Sequence, residues 1–218
     1  MIRWRVFATP LPTFDIICLL KSIRAVSAFN AAIVLCDAGF TQEICVLLRT
    51  IVECTSHIEF VLSSNPISAD AENFIADYFS DFERSGNPDF RKPAIRQGHV
   101  HSAVGAALDN FIKESEQAEK YRGVNTSKLY SRVYLVLSNY VHCKYPEVMD
   151  LYGGIPGKFH LKGMRGTPKD LENIELLETY FASVSQCLQV IVLRLGLKQF
   201  VERDPIVAQW MGSLRQET

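Results

Sequence analysis

Thr41-Gln42-Glu43-Ile44-Cys45-Val46-Leu47-Leu48-Arg49-Thr50-Ile51-Val52-Glu53-Cys54-Thr55-Ser56-His57-Ile58 is the stretch on which the fold class turns. Ile44, Leu47, Leu48, Ile51, Val52 and Ile58 recur at three- and four-residue steps, the period of a helix and not of a strand. Thr41 reads as the N-cap of this helix, because a threonine oxygen can accept from an unpaired first-turn N–H. Ser63-Ser64-Asn65-Pro66 ends it.

The same period extends in both directions. Before it, Phe14, Ile17, Cys18, Ile23, Val26, Phe29, Ile33 and Val34 form a helix entered at Pro10 and Pro12 and stopped at Ala38-Gly39. After it come helices from Ser68 to Phe82, from Val104 to Tyr121 and from Thr126 to His142. A long helix opens at Pro168 and runs to Leu195 with Gly196 as its cap, and Asp204–Leu214 adds a last short one. Gly86–Asp89 is a turn. Arg91–His101 reads as a loop or irregular helix because of Pro93 and Gly98. Gly153–Gly157 reads as a surface loop followed by a short extended segment over Lys158–Gly166. The expectation is one all-α domain over residues 1–218, a bundle of about five to seven helices.

Composition narrows the classes of function. Of 218 residues 48% are hydrophobic and the formal net charge is −1, which suits a globular chain without a global basic field. The basic start Met1-Ile2-Arg3-Trp4-Arg5 is interrupted by Pro10, Pro12 and Asp15 before a signal-peptide core forms. The most apolar stretches, Val26–Cys36 and Val184–Leu195, read as too short or too polar to span a bilayer. Cys18, Cys36, Cys45, Cys54, Cys143 and Cys187 are scattered through helical segments without a CxxC pair, and read as reduced core thiols. A cytoplasmic chain with no membrane partner is expected.

Two constellations stand out. Arg49, Glu53 and His57 lie at i, i+4 and i+8 on the second helix; Tyr134, Ser138 and His142 repeat the spacing on the fifth. Arg49 and Glu53 read either as an ion pair at the core edge or as a pair in which Glu53 orients Arg49 toward a phosphate. His142 has the intrinsic pKa of an acid–base group, and Ser138 stands one turn before it.

The run Leu47-Leu48-Arg49-Thr50-Ile51-Val52-Glu53, followed by Ser138-Asn139-Tyr140-Val141-His142, resembles a bacterial helical family of unknown function that looks like an outlying branch of the HEPN-like proteins. The LLRxxxE and SxxVH-type motifs occur in order between about Thr41 and Tyr152. The resemblance implies a HEPN-like bundle, commonly a homodimer, in a group that includes metal-independent ribonucleases of toxin and defence systems beside members without activity. The functional reading built on it has Arg49 bind the anion, Glu53 fix Arg49, and His142 with Ser138 do any acid–base work. The chain departs from the ribonuclease pattern: Leu135, Val136 and Leu137 occupy the positions where an arginine precedes the histidine. Arg96-Gln97-Gly98-His99-Val100-His101 has that spacing, but about one such match is expected by chance.

Glu53 or Cys54 with His57, and His99 with His101, have ligand-capable spacing, yet repeated Glu-x-x-His motifs of a di-iron bundle are absent. So are GxxxxGK[ST], GxGxxG and GxSxG. No cofactor is expected. The functional expectation is a cleft between helices two and five that takes RNA or another phosphate-bearing ligand. The rival is an interaction or scaffold protein whose same residues form a structural polar network, and a metal-dependent enzyme built on Glu53, His57 and His142 is a third reading.

Overall fold

The computed structural model describes residues 13–63, 68–83, 95–114, 119, 121 and 123–194. Over these it is all-α, with seven helices and no strand among the described residues. They are α1 (Phe14–Ala38), α2 (Thr41–Leu62), α3 (Ala69–Glu83), α4 (Gln97–Glu114), α5 (Thr126–Val141), α6 (Tyr145–Met149) and α7 (Lys169–Arg194).

Local chemistry sets the helix ends. Thr13 caps α1 with its hydroxyl and Gly39 closes it at φ 80°. Asn125 caps α5 through Lys128 N–H, and Ser68 caps α3 through Ala71 N–H. Thr41 is not a cap. Phe40 takes that position without a side-chain bond, and Thr41 is buried inside the first turn, where its hydroxyl accepts from Asn173 of α7 at 3.0 Å.

Other expected boundaries shift for equally local reasons. The Arg91–His101 segment is helical from Gln97, since Gly98 sits in the first turn, where its weak propensity costs little. The α4 helix accordingly begins before Val104, and residues 115–118 of the expected Val104–Tyr121 helix lie outside the described residues. Lys158–Gly166 contributes only a single antiparallel bridge, Tyr152 with Phe159, and the short α6 is an addition that its isolated turn of sequence did not reveal. Pro10, Pro12, Gly86–Asp89, Gly196 and Asp204–Leu214 lie outside the described residues.

α2 is the central element. It packs most extensively on α1 and also meets α4, α5 and α7. Leu48, Ile51 and Val52 pack with Ala28, Phe29 and Ala32 of α1 and Leu177 and Val184 of α7. Ile58, Phe60 and Val61 do the same toward Ile17, Val100, Val104 and Ile191. α5 runs antiparallel to α2. Contacts pair Gln42 with Glu147, Arg49 with Ser138 and Glu59 with Tyr130, so one number rises as the other falls.

α1 is apolar on nearly every face. Its 25 residues are long and apolar enough to cross a membrane by length and composition, with a window hydropathy of 1.6. The apolar element is therefore longer than the Val26–Cys36 stretch on which the membrane-free reading rested. Here its inner face packs on α2 and α7. Leu19, Leu20, Ile23, Ile33 and Val34 remain exposed. A groove of about 380 Å³ lies between Phe29, Ile33 and Cys36 of α1 and Ile174, Leu177 and Phe181 of α7.

None of the six cysteines is in a disulfide. Four are buried, Cys36 is half-buried and Cys143 is exposed, so the expectation of six core thiols is corrected at these two. Burial pushes the Cys45 thiol up to about 11 and the Cys187 thiol to about 12.

Candidate functional site

Arg49 projects from α2 toward α5, with its side chain 25% exposed. Its Nη1 donates to Glu53 Oε2 at 2.9 Å, one turn along the same helix. Its Nε donates to Ser138 Oγ at 3.3 Å, and its Nη2 donates to the Tyr134 hydroxyl. The guanidinium carbon also lies 4.8 Å from the Tyr134 ring centre. The four-residue spacing of Tyr134 and Ser138 puts both on the α5 face that meets α2. Three of the four expected site residues, Arg49, Glu53 and Ser138, therefore come together, and Tyr134 completes the group.

His142 does not join them. It is the C-cap of α5, its backbone N–H is spent on Ser138 C=O, and its side chain is exposed. The i+4 spacing is true only while the helix continues, and here it ends one residue earlier. Cys143 follows at φ 49°, and Lys144 N–H bonds Asn139 C=O, turning the chain away.

The chemistry of the Arg49 group follows from its donors. A guanidinium carries more N–H groups than the three engaged here. Tyr134 and Ser138 both act as acceptors toward Arg49, so each keeps its own hydroxyl proton to donate. Glu53, 33% exposed, holds the cation in place without removing it from water. The result is a preorganised cluster of donors at the α2–α5 seam, suited to an anion.

Toward the interior a second polar cluster begins one turn beyond Glu53. Gln97 of α4 donates through its amide nitrogen to Ser56 Oγ at 3.0 Å and to His101 Nε2 at 2.8 Å. Its amide oxygen accepts from His57 Nε2 at 2.7 Å. With the amide so oriented, His101 carries its lone pair, and His57 its proton, on Nε2. His57 Nδ1 is then a buried acceptor with no partner among the described residues, and the ring packs 4.8 Å from Phe74. His57 is 7% exposed and His101 2%. Burial holds the His57 pKa down at about 4, with Lys21 of α1 adding to the effect, and burial also lowers that of His101. The His101 ring meets the Tyr134 ring edge-on at 5.0 Å, which joins this cluster to the Arg49 group.

Sequence reasoning missed Gln97 and His101 as partners of α2. A usable signal was their i, i+4 spacing in a segment that Pro93 and Gly98 made look irregular.

The remaining candidates do not converge. Glu53 turns to Arg49, His57 turns inward to Gln97, and His142 lies beyond the helix end, so the triad of a metal enzyme is not assembled. His99 turns to Asp70 at 3.0 Å, away from His101. Among the described residues no group of three or more His, Cys, Asp or Glu is placed to hold a metal. In the RxxxxH run, Arg96 is exposed while His101 is sealed in the core.

No curated protein and no solved structure matches the chain. The model of a family of unknown function, DUF5677, matches residues 15–154, a span that contains all of α2, α4 and α5, and the chain belongs to that family.

Proposed function

We propose that the Arg49 group binds a phosphate-bearing ligand, as a recognition module rather than a nuclease. The observation that carries this reading is the state of Arg49. It is fixed by Glu53, Ser138 and Tyr134, a quarter exposed, and still has N–H donors to offer. Arg49 supplies charge and fork geometry, Tyr134 supplies a hydroxyl donor, and Glu53 and the buried Ser138 are positioning residues. The place of His142 outside the group argues for binding without acid–base turnover. The kinship with HEPN-like proteins is part of this proposal and rests on the LLRxxxE and SxxVH-type residues.

Calorimetric titration with inorganic phosphate and with a mixed-sequence RNA tests it. The wild-type chain binds, Arg49→Gln loses at least tenfold, and Arg49→Lys loses an intermediate amount because it keeps charge without the fork. His142→Ala binds normally. A wild type that binds neither ligand refutes the reading.

A second reading has its own observation. Arg49 joins α2 to α5 through Ser138 and Tyr134, which is what a register-setting network in a scaffold requires. In that case Arg49→Gln loses stability and nothing else.

Homodimerisation belongs to the same proposal, supported by the exposed Leu19, Ile23, Ile33 and Val34 face of α1 and the groove beside it. Light scattering that gives a monomer at every concentration removes it. Cytoplasmic residence is proposed from the six cysteines without a disulfide, which suit a reducing compartment.

A further inference from the structure

The chain between α5 and α7 is unlike the rest of the molecule. Residues 142–168 carry four cations, Lys144, Lys158, Lys162 and Arg165, against two carboxylates, Glu147 and Asp150, in a protein of net charge −1. Asp150 is spent on the Tyr140 hydroxyl at 2.9 Å. Lys144, Lys158, Lys162 and Arg165 are exposed, and none makes an ion pair with a described residue. Among them stand exposed rings: Tyr145 is 76% and Phe159 44% accessible, with Leu161 at 77%.

The segment is nevertheless built rather than loose. Gly153 N–H bonds Lys158 C=O at 2.9 Å and His160 N–H bonds Leu151 C=O at 2.8 Å. Met164 is buried, and its N–H bonds Gly39 C=O at 2.7 Å, stapling the segment to the α1–α2 turn. Gly163 permits the approach: it sits at φ +93°, and a Cβ there would stand 2.4 Å from Ala38 O. A concavity of about 410 Å³ opens within it, lined by Gly153, Gly157, Lys158, Phe159, His160 and Leu161.

We propose that residues 144–165 form a platform for single-stranded nucleic acid. The cations track the phosphates, Tyr145 and Phe159 offer faces for bases, and the concavity beside Lys158 and His160 receives an unstacked base. Charge complementarity selects the occupant. The apolar side chains are interrupted by cations, and the concavity is rimmed by Lys158 and His160, whereas a lipid surface calls for a continuous apolar face. The inference goes beyond the Arg49 reading and stands without it. The two sites are close, because Gln42, which bonds Glu147 C=O, precedes Arg49 on α2 by about 10 Å of helix.

The test is fluorescence anisotropy of a labelled mixed-sequence single-stranded RNA with the full chain, across a salt series. Wild type binds, and the triple variant Lys158→Gln, Lys162→Gln, Arg165→Gln weakens binding at least tenfold and flattens the log–log salt slope by about 2. Tyr145→Ala raises Kd about tenfold with little change in slope. Circular dichroism verifies that the variants stay folded. Phosphate titration separates the two sites, because the triple variant keeps phosphate binding at Arg49, whereas Arg49→Gln loses it and flattens the RNA salt slope by only about 0.7. Equal RNA binding by wild type and triple variant overturns the proposal. So does a wild type that ignores RNA, or one that binds only phosphatidylcholine vesicles containing phosphatidylserine.

Discussion

Arg49 and His57 stand on the same helix, eight residues apart, and each ties α2 to a neighbour, yet they end in opposite electrostatic states. Arg49 faces the α2–α5 seam, where water still reaches the guanidinium and the Glu53 carboxylate it pairs with at 2.9 Å. His57 faces the α2–α4 contact, where burial holds its ring neutral and Gln97 takes the place of a counter-charge. A polar residue on an apolar helix is thus an exposed tool or a sealed joint according to what covers it. The distinction gives the two groups different failures when broken.

The largest expected effect is at the sealed joint. Gln97→Ala removes hydrogen bonds to Ser56, His57 and His101 together and leaves buried groups unpaired. The cost is roughly 4 kcal/mol, at about 1–3 kcal/mol per stranded group without full additivity. Thermal unfolding measures it, and a drop of only a degree or two would mean that water fills the gap.

Next is acid. The folded pKa of His57 lies below its unfolded value, so the unfolded chain binds a proton first as pH falls. Stability from this residue is complete above about pH 6.5 and is lost between there and about 4. The full loss is on the order of 3 kcal/mol. Burial raises the pKa of Glu59, whose effect has the opposite sign: its stabilisation is lost as pH rises through its folded pKa. The informative quantity is therefore the difference between wild type and His57→Leu. That difference should shrink on acidification; one constant from pH 7 to 4 would show that His57 does not titrate as a sealed group.

At the half-open seam the damage is smaller. Arg49→Ala should cost about 1–2 kcal/mol, because Glu53 is left hydrated rather than stranded. Phosphate binding should go with it. A loss near 4 kcal/mol would place Arg49 with His57 on the sealed side of the comparison.

The smallest effect has the opposite sign. Cys143 occupies the left-handed position after α5, with Lys144 N–H on Asn139 C=O and its own N–H on Tyr140 C=O. Glycine is the residue that geometry favours, so Cys143→Gly should stabilise by up to about 1 kcal/mol. It also removes the exposed thiol: native wild type should show one rapidly reacting cysteine, the variant none, and denatured wild type six.

Much of the fold could be read directly. The period of Ile44, Leu48, Ile51 and Ile58 makes α2 a helix, Gly39 ends α1, and α5 opens at Thr126, all through interactions within a few residues. The Arg49–Glu53 pair and the alignment of Tyr134 with Ser138 are local in the same sense, since they need only a continuing helix. His142 shows where that logic stops: its place depended on whether α5 carried on past Val141, and the turn at Cys143 decided that it did not.

What lies between helices was decided elsewhere. Nothing in the spacing of Ser56 and His57 names Gln97, forty residues away, as their partner. Nothing in Gly163 alone reveals that Gly39 waits against it. Helical period fixes which residues share a face, because that follows from backbone geometry. Which face meets which, and which polar group is cut off from water, follows from packing the helices together, and that depends on contacts far apart in the chain.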